Sequence, residues 1–221
     1  MMMTILSFLE QLKQNNTREW FQEHRGSYDT ALLQFQGLVN TLIPELRLMD
    51  PTLGDIESKQ CIFRIYRDTR FSHNKDPYKT QFGAFMARGG RGSQHAGYYL
   101  HLEPGASFAG GGIYMPEPPA LKAVRDEIYY HTGEFRNILK EPAFVKAFGD
   151  LSQEGRLKKP PRGYDPTVEG IDLLMHRHFV VGHSFTDEQV SADDFGQKVL
   201  QIFHAMVPLN AFLNRAISMM L

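Results

Sequence analysis

The chain has one cysteine, Cys61, among its 221 residues. A single thiol excludes an internal disulfide and any zinc site built on cysteine pairs, and it is typical of a reducing compartment. Long apolar runs are also missing, since none reaches the roughly 18 residues that span a bilayer. The opening stretch MMMTILSFLEQLKQ has no basic segment and no long apolar core, so we expect no secretion signal. These absences predict a cytoplasmic protein with no membrane partner.

Excess charge of either sign is absent as well. The chain carries 24 Lys and Arg against 25 Asp and Glu, a net charge of -1. Dedicated nucleic-acid binders usually have a strong basic excess, so this balance argues against that class. The hydrophobic content of 42% and the aromatic content of 12% are ordinary globular values, which argues against long disorder.

The period of the hydrophobic pattern divides the chain into segments. Residues 1–50 have a helical period, residues 60–116 alternate as a sheet core does, and residues 117–178 read as helices and a basic loop. A further strand at 179–185 and a C-terminal helix at 191–221 follow. With no linker between them, the segments predict a single α+β domain over residues 1–221.

Short connections between the strands predict an antiparallel sheet. We expect about four to six strands packed against the N- and C-terminal helices. The strand candidates are 61–68, 81–88, 97–103, 107–115 and 179–185. Asp165 and Pro166 are suited to the first turn of a helix, which we expect to run to about His176.

Positive charge is concentrated in FRIYRDTRFSHNKDPYKT, residues 63–80. Alternation places Phe63 and Ile65 on the core face of the strand 61–68, with Arg64, Tyr66 and Asp68 on the other face. The later strand 97–103 has Tyr99, His101 and Glu103 on one face. If the two strands pair, their polar faces coincide.

This face predicts a ligand site. The glycines of FAGGGIY would leave space beside it, and Arg and Lys are suited to carboxylate or phosphate groups. The predicted ligand-binding residues are Arg64, Tyr66, Arg67, Arg70, Lys75, Lys79, Tyr99 and Gly111. His101 and Glu103 are the candidates for general acid–base catalysis, because histidine titrates near neutrality.

A purely structural interpretation is open beside this one. Arg64 and Glu103 can form an ordinary cross-strand pair. Asp68 and Asp76 can likewise pair with Arg70 and Lys79 inside the loop. Under that interpretation the charge cluster is only a surface.

Two other kinds of site have weaker signals. His101 with Glu103, and the sequence His176-x-His178 followed by His183, contain metal-binding side chains, but no HExxH or cysteine pair accompanies them. We therefore predict no metal site. Basic stretches such as ARGGRGS and RLKKPPRGY lack any recognised nucleic-acid signature, so nucleic acid is not the expected partner.

Four segments together resemble a known family. NNTREWF, CIFRIYRDTRFSHNKDPYKTQFG, GYYLHLEPGASFAGGGIYMPEP and LKKPPRGYDP…IDLLMHRHF occur here in the order typical of a family catalogued as domain of unknown function number 2461. The likeness extends from about Leu6 to Leu213. One difference is Tyr114, where the family pattern leads us to expect Trp. The resemblance implies no substrate, cofactor or catalytic residue.

The functional prediction therefore depends on the side chains of this sequence and not on the family. We expect a small anionic ligand, phosphorylated or carboxylated, on the polar face of the sheet, with or without turnover. The alternative is a non-enzymatic module that docks a protein or a nucleic acid through the basic loop. The sequence leaves the oligomeric state and the cofactor unknown.

Overall fold

Four antiparallel strands form one sheet at the centre of the molecule. The structure is a computed structural model, and it describes residues 2–220. The strands are β1 (Phe82–Met86), β2 (Gly97–Leu102), β3 (Ser107–Ile113) and β4 (Phe179–Phe185), and they neighbour one another in chain order. The expected α+β fold with an antiparallel sheet is confirmed, and the four strands lie within the expected number.

Helices precede β1, lie between β3 and β4, and follow β4 in the chain. They are α1 (Met2–Gln14), α2 (Arg18–Glu23), α3 (Arg25–Met49), α4 (Ser58–Cys61), α5 (Pro118–Tyr130), α6 (Thr132–Lys140), α7 (Pro142–Phe148), α8 (Ile171–Leu174), α9 (Asp187–Ser191) and α10 (Phe195–Ser218). Thr17 caps α2 by accepting from the Trp20 N–H. Pro44 and Pro208 lie inside α3 and α10, which continue through them. Within the described residues, no helix is long and apolar enough to cross a membrane.

One face of the sheet is the core face, and α10 lies against it. Tyr98, Leu100 and Leu102 of β2 are fully buried there. Gly111 allows the close approach, because a Cβ at this position would lie 2.8 Å from Met206 Sδ of α10. Asn210 Nδ2 of the same helix donates to the Gly97 carbonyl at 3.2 Å. These contacts fix α10 and leave the other sheet face to line a cleft.

The predicted strand 61–68 is wrong. Cys61 ends α4, and the segment that follows forms only two isolated bridges, Ile62 with Ala84 of β1 and Tyr66 with Tyr78 before β1. Ile65 is 1% exposed, as expected, but Phe63 is half-buried outside the core. A regular ladder is interrupted because the three residues 63–65 lie opposite the five residues 79–83 between the two bridges.

The predicted helix from Asp165 to His176 is also wrong. The chain forms turns there, and only α8 is helical. Gly170 has a φ of 85°, a left-handed conformation that stops a helix from beginning earlier. The predicted strand at 179–185 is confirmed residue for residue by β4.

Candidate functional site

A cleft of about 890 Å³ lies on the open face of the sheet. Cross-strand register explains its floor, because Tyr99 of β2 is opposite Phe85 of β1 and Gly110 of β3. Where β3 and β4 pair, glycines line the cleft and have no side chains to fill it. The lining includes Phe63, Lys79, Gln81, Gly83, Phe85, Tyr99, Phe108, Gly111, Gly112 and Gly182, with walls from residues 91–95, 113–117 and 152–154.

Lys79 brings a positive charge to this cleft. Its backbone N–H donates to the Ile65 carbonyl at 2.8 Å, which fixes the residue beside the irregular hairpin. Its Nζ lies 5.5 Å from the centroid of the Phe63 ring. Burial lowers the pKa of Lys79, and the nearby Arg64 guanidinium lowers it further. Among the described residues neither cation forms an ion pair.

A series of hydrogen bonds leads from the cleft along β2. The Tyr99 hydroxyl lies 3.1 Å from His101 Nδ1, and His101 Nε2 lies 3.0 Å from Glu103 Oε2. Thr80 Oγ1 donates to the other oxygen of Glu103 at 3.2 Å. The imidazole stacks on Phe108, with ring centroids 4.8 Å apart. Alternate residues of a strand share a face, which is why sequence spacing brings these three side chains together.

The hydrogen-bond partners determine which atoms of Tyr99, His101 and Glu103 carry protons. An ionised Glu103 only accepts, so His101 donates its Nε2–H to the carboxylate. The lone pair on Nδ1 is then free to accept the Tyr99 O–H. Burial, and then the charge of Glu103, raise the pKa of Tyr99 to about 12. Tyr99 is therefore a phenol at neutral pH.

Gly83 makes the position of Tyr99 possible. A Cβ at Gly83 would lie 2.7 Å from the Tyr99 hydroxyl oxygen and 3.3 Å from its ring. The first distance is shorter than real Cβ contacts, so any side chain at Gly83 would force the Tyr99 ring to shift from its position across β1.

Only part of the predicted ligand-binding set lines the cleft. Lys79, Tyr99 and Gly111 line it, and His101 and Glu103 continue from Tyr99 through hydrogen bonds on the same face. Arg64 is exposed, but it is close enough to Lys79 to affect that residue's pKa.

The remaining cations of the set are held within their own loop. Arg67 donates to the Asp76 carbonyl and to Ser72 Oγ, and Lys75 donates to the Thr69 carbonyl. Arg70 pairs with Asp68 at 2.6 Å and lowers the pKa of that carboxyl. Tyr66 is outside the cleft lining, with its ring 6.1 Å from that of Phe21.

The structural pairings are likewise confirmed only in part. Asp68 does pair with Arg70. Glu103 bonds to His101 and Thr80 instead of pairing with Arg64, and the alternative pair of Asp76 with Lys79 is not formed. The charge cluster is thus divided between a closed loop and the cleft.

Some cleft residues were missed from the sequence. Met115 has a φ of 48°, and its N–H donates to His178 Nδ1 at 3.0 Å. Tyr114 packs on the same imidazole. On the opposite wall, burial lowers the pKa of His95, and its Nε2 is buried without a hydrogen-bond partner among the described residues. In the sequence, the glycine-rich stretch GGRGSQHAG indicates a loop at this wall.

His176 and His183 each bond to a different backbone carbonyl. His176 Nδ1 lies 3.1 Å from the Ser152 carbonyl, and His183 Nδ1 lies 2.8 Å from the Ala147 carbonyl. Within residues 2–220, no three His, Cys, Asp or Glu side chains are grouped closely enough to hold a metal ion.

Comparison with known proteins identifies a family. The model of the family described as Conserved hypothetical protein (DUF2461) matches residues 4–212. No curated protein and no solved structure matches the chain. Because the match covers nearly the whole length, the chain belongs to the DUF2461 family of conserved hypothetical proteins.

Proposed function

We propose that the protein binds a small organic anion, carboxylated or phosphorylated, in the cleft on the open face of the sheet. The observation that carries this proposal is a partly buried Lys79 ammonium that lines a cleft of about 890 Å³ without an acidic partner among the described residues. The volume is within the usual range for small-molecule sites.

The surroundings of Lys79 support an anion rather than a neutral ligand at this end of the cleft, whereas Glu117 and Glu154 line other parts of it. Withdrawing an ammonium from water disfavours its charged form, and the like charge of Arg64 adds to this cost. A bound carboxylate or phosphate would offset both effects. The same anion could accept hydrogen bonds from the Lys79 ammonium.

The walls support a ligand with a flat apolar body. Phe63, Phe85 and Phe108 line the cleft, and the Tyr99 ring is 5.6 Å from that of Phe108. Aromatic side chains bind apolar and aromatic groups through their faces and edges. An aromatic or unsaturated organic acid combines this body with the required charge.

The docking alternative has less support. It draws on the basic loop, in which Phe71 is 95% exposed. However, the cations Arg67, Arg70 and Lys75 bond within the loop, so fewer of their donors are available to a partner. Docking of a protein or a nucleic acid through this loop stays the alternative to our proposal. Cytoplasmic location is part of our proposal and is supported by the scarcity of cysteine, since Cys61 is the one thiol of the sequence.

A binding screen with simple probes tests the proposal. We expect phenyl phosphate and benzoate to raise the thermal midpoint at millimolar concentration, because ligands that bind only the folded state stabilise it. Benzyl alcohol, which has the ring without the charge, should give a smaller shift. In Lys79→Met the affinity for phenyl phosphate should fall about tenfold.

Lys75→Met is the matched control, since this lysine bonds only to a loop carbonyl. It should bind phenyl phosphate as the wild type does. Equal binding by wild type and Lys79→Met, or no response to either anion, would contradict the proposed function.

A further inference from the structure

We propose that Tyr99, His101 and Glu103 form a proton relay that makes the cleft catalytic, with Tyr99 as the residue that exchanges a proton with the bound ligand. This inference rests on the proposed function, because it needs a ligand in the cleft. Tyr99 lines the cleft, whereas His101 and Glu103 extend the chain of hydrogen bonds away from it.

The geometry supports proton transfer from Tyr99 to His101. Tyr99 donates its proton to His101 Nδ1 at 3.1 Å, and His101 donates its Nε2–H to Glu103 at 3.0 Å. These distances are within the range in which a general base acts. Glu103 holds the tautomer that leaves Nδ1 ready to accept, as the third group does in a nucleophile–base–acid arrangement.

Tyr99 needs such a base. Burial and the charge of Glu103 raise its pKa to about 12, so almost no phenolate exists at neutral pH. When the hydroxyl gives up its proton, His101 becomes an imidazolium that Glu103 stabilises. Thr80 holds the second oxygen of Glu103 and keeps the carboxylate oriented.

The proposed step conserves protons and charge. An O–H or C–H bond of the bound organic anion breaks, and its proton passes to the oxygen of Tyr99. The original proton of Tyr99 passes to Nδ1 of His101, and the electron pair of the broken bond stays on the ligand. Lys79, on the same cleft, stabilises the added negative charge. The reverse transfer returns the proton to the product.

An electrophilic probe tests the relay without a known substrate. We would use 4-(fluorosulfonyl)benzoate, which has a carboxylate for Lys79 and a sulfonyl fluoride that reacts with an activated tyrosine. The Tyr99 oxygen forms a bond to sulfur, fluoride leaves, and His101 accepts the tyrosine proton. Peptide mass spectrometry locates the label, and the dependence of rate on probe concentration separates the binding constant KI from the maximal rate kinact.

We expect Tyr99 to be labelled faster than Tyr130, which is 75% exposed and serves as an internal reference. His101→Gln should lower kinact at Tyr99 at least about tenfold with little change in KI, because it removes the proton acceptor. Glu103→Gln should lower kinact less. The control His183→Gln changes a histidine of β4 that bonds to the Ala147 carbonyl, and it should leave both constants unchanged.

The relay and the anion site fail in different ways. Lys79→Met should raise KI for the carboxylated probe but not for benzenesulfonyl fluoride, so an unchanged KI contradicts the proposed function alone. The relay is overturned if wild-type Tyr99 is labelled no faster than Tyr130, or if His101→Gln and Glu103→Gln both retain the wild-type kinact. Thermal unfolding of each variant verifies that it is folded, and Glu103→Gln provides the test if His101→Gln is not.

Discussion

Gly83 and Tyr99 illustrate how single residues shape the cleft. Alternation along β2 predicted that Tyr99, His101 and Glu103 share a face, and the hydrogen bonds join all three. The sequence could not predict the glycine beneath the tyrosine, because Gly83 is 16 positions earlier in the chain and meets Tyr99 only through the register of β1 with β2.

We expect Gly83→Ala to displace the Tyr99 ring, since the new Cβ would lie 2.7 Å from the hydroxyl oxygen. The hydroxyl should lose its hydrogen bond to His101, and labelling of Tyr99 by the sulfonyl fluoride should slow at least about tenfold. The measurement is kinact at Tyr99, together with urea unfolding to verify the fold.

Gly37→Ala is the control for this substitution. Gly37 lies within α3 with nothing near its would-be Cβ. Alanine there should stabilise the protein by about 0.5–1 kcal/mol and leave labelling unchanged. Wild-type labelling in Gly83→Ala would show that the glycine does not position Tyr99.

At the scale of elements, the sequence predicted regular strands and long helices better than it predicted the charged hairpin. β4 appears where the alternation places it, because a buried face enforces the period. The segment 61–68 alternates equally well, but α4 ends at Cys61 and the loop bonds to itself. Those contacts are between side chains and loop carbonyls, which hydrophobic periodicity does not encode.

The position of α10 also depends on a polar contact. Arg215 pairs with Glu127 of α5, which is only 7% exposed, and with Glu134 of α6. Arg215→Met should lower the free energy of unfolding by about 1–3 kcal/mol, because it leaves Glu127 buried without its partner, while the partly exposed Arg215 limits the loss. Urea denaturation measures this change.

Lys198→Met provides the comparison on the same helix. Its partner Asp194 is 53% exposed and stays hydrated when the pair is removed, so stability should change by less than about 0.5 kcal/mol. Equal effects of the two substitutions would mean that the Arg215 pairs do not hold α10 to α5 and α6.

For the molecule as a whole, buried histidines predict how stability depends on pH. Burial lowers the pKa of His176, which is 4% exposed, and also that of His95. Both groups therefore bind protons more weakly in the folded chain than in the unfolded chain. Their contribution is complete above about pH 6.5 and is lost as the pH falls through the lowered folded pKa values.

We expect the free energy of unfolding to decrease between about pH 6.5 and pH 5, before most carboxylates titrate. His176→Gln should show a shallower decrease in urea titrations over this range, because it lacks one of the two groups. A wild-type free energy that is constant or rises on acidification would contradict the burial argument.

For the whole molecule, we propose that the cleft, and not the basic loop, recognises an anion. The most direct measurement is a backbone-amide NMR titration of the wild-type protein with phenyl phosphate. We expect saturable shifts at Lys79, Gly83, Tyr99 and Gly112, with little change between Arg70 and Lys75. Shifts confined to that loop, or no saturable shift at the cleft residues, would contradict it.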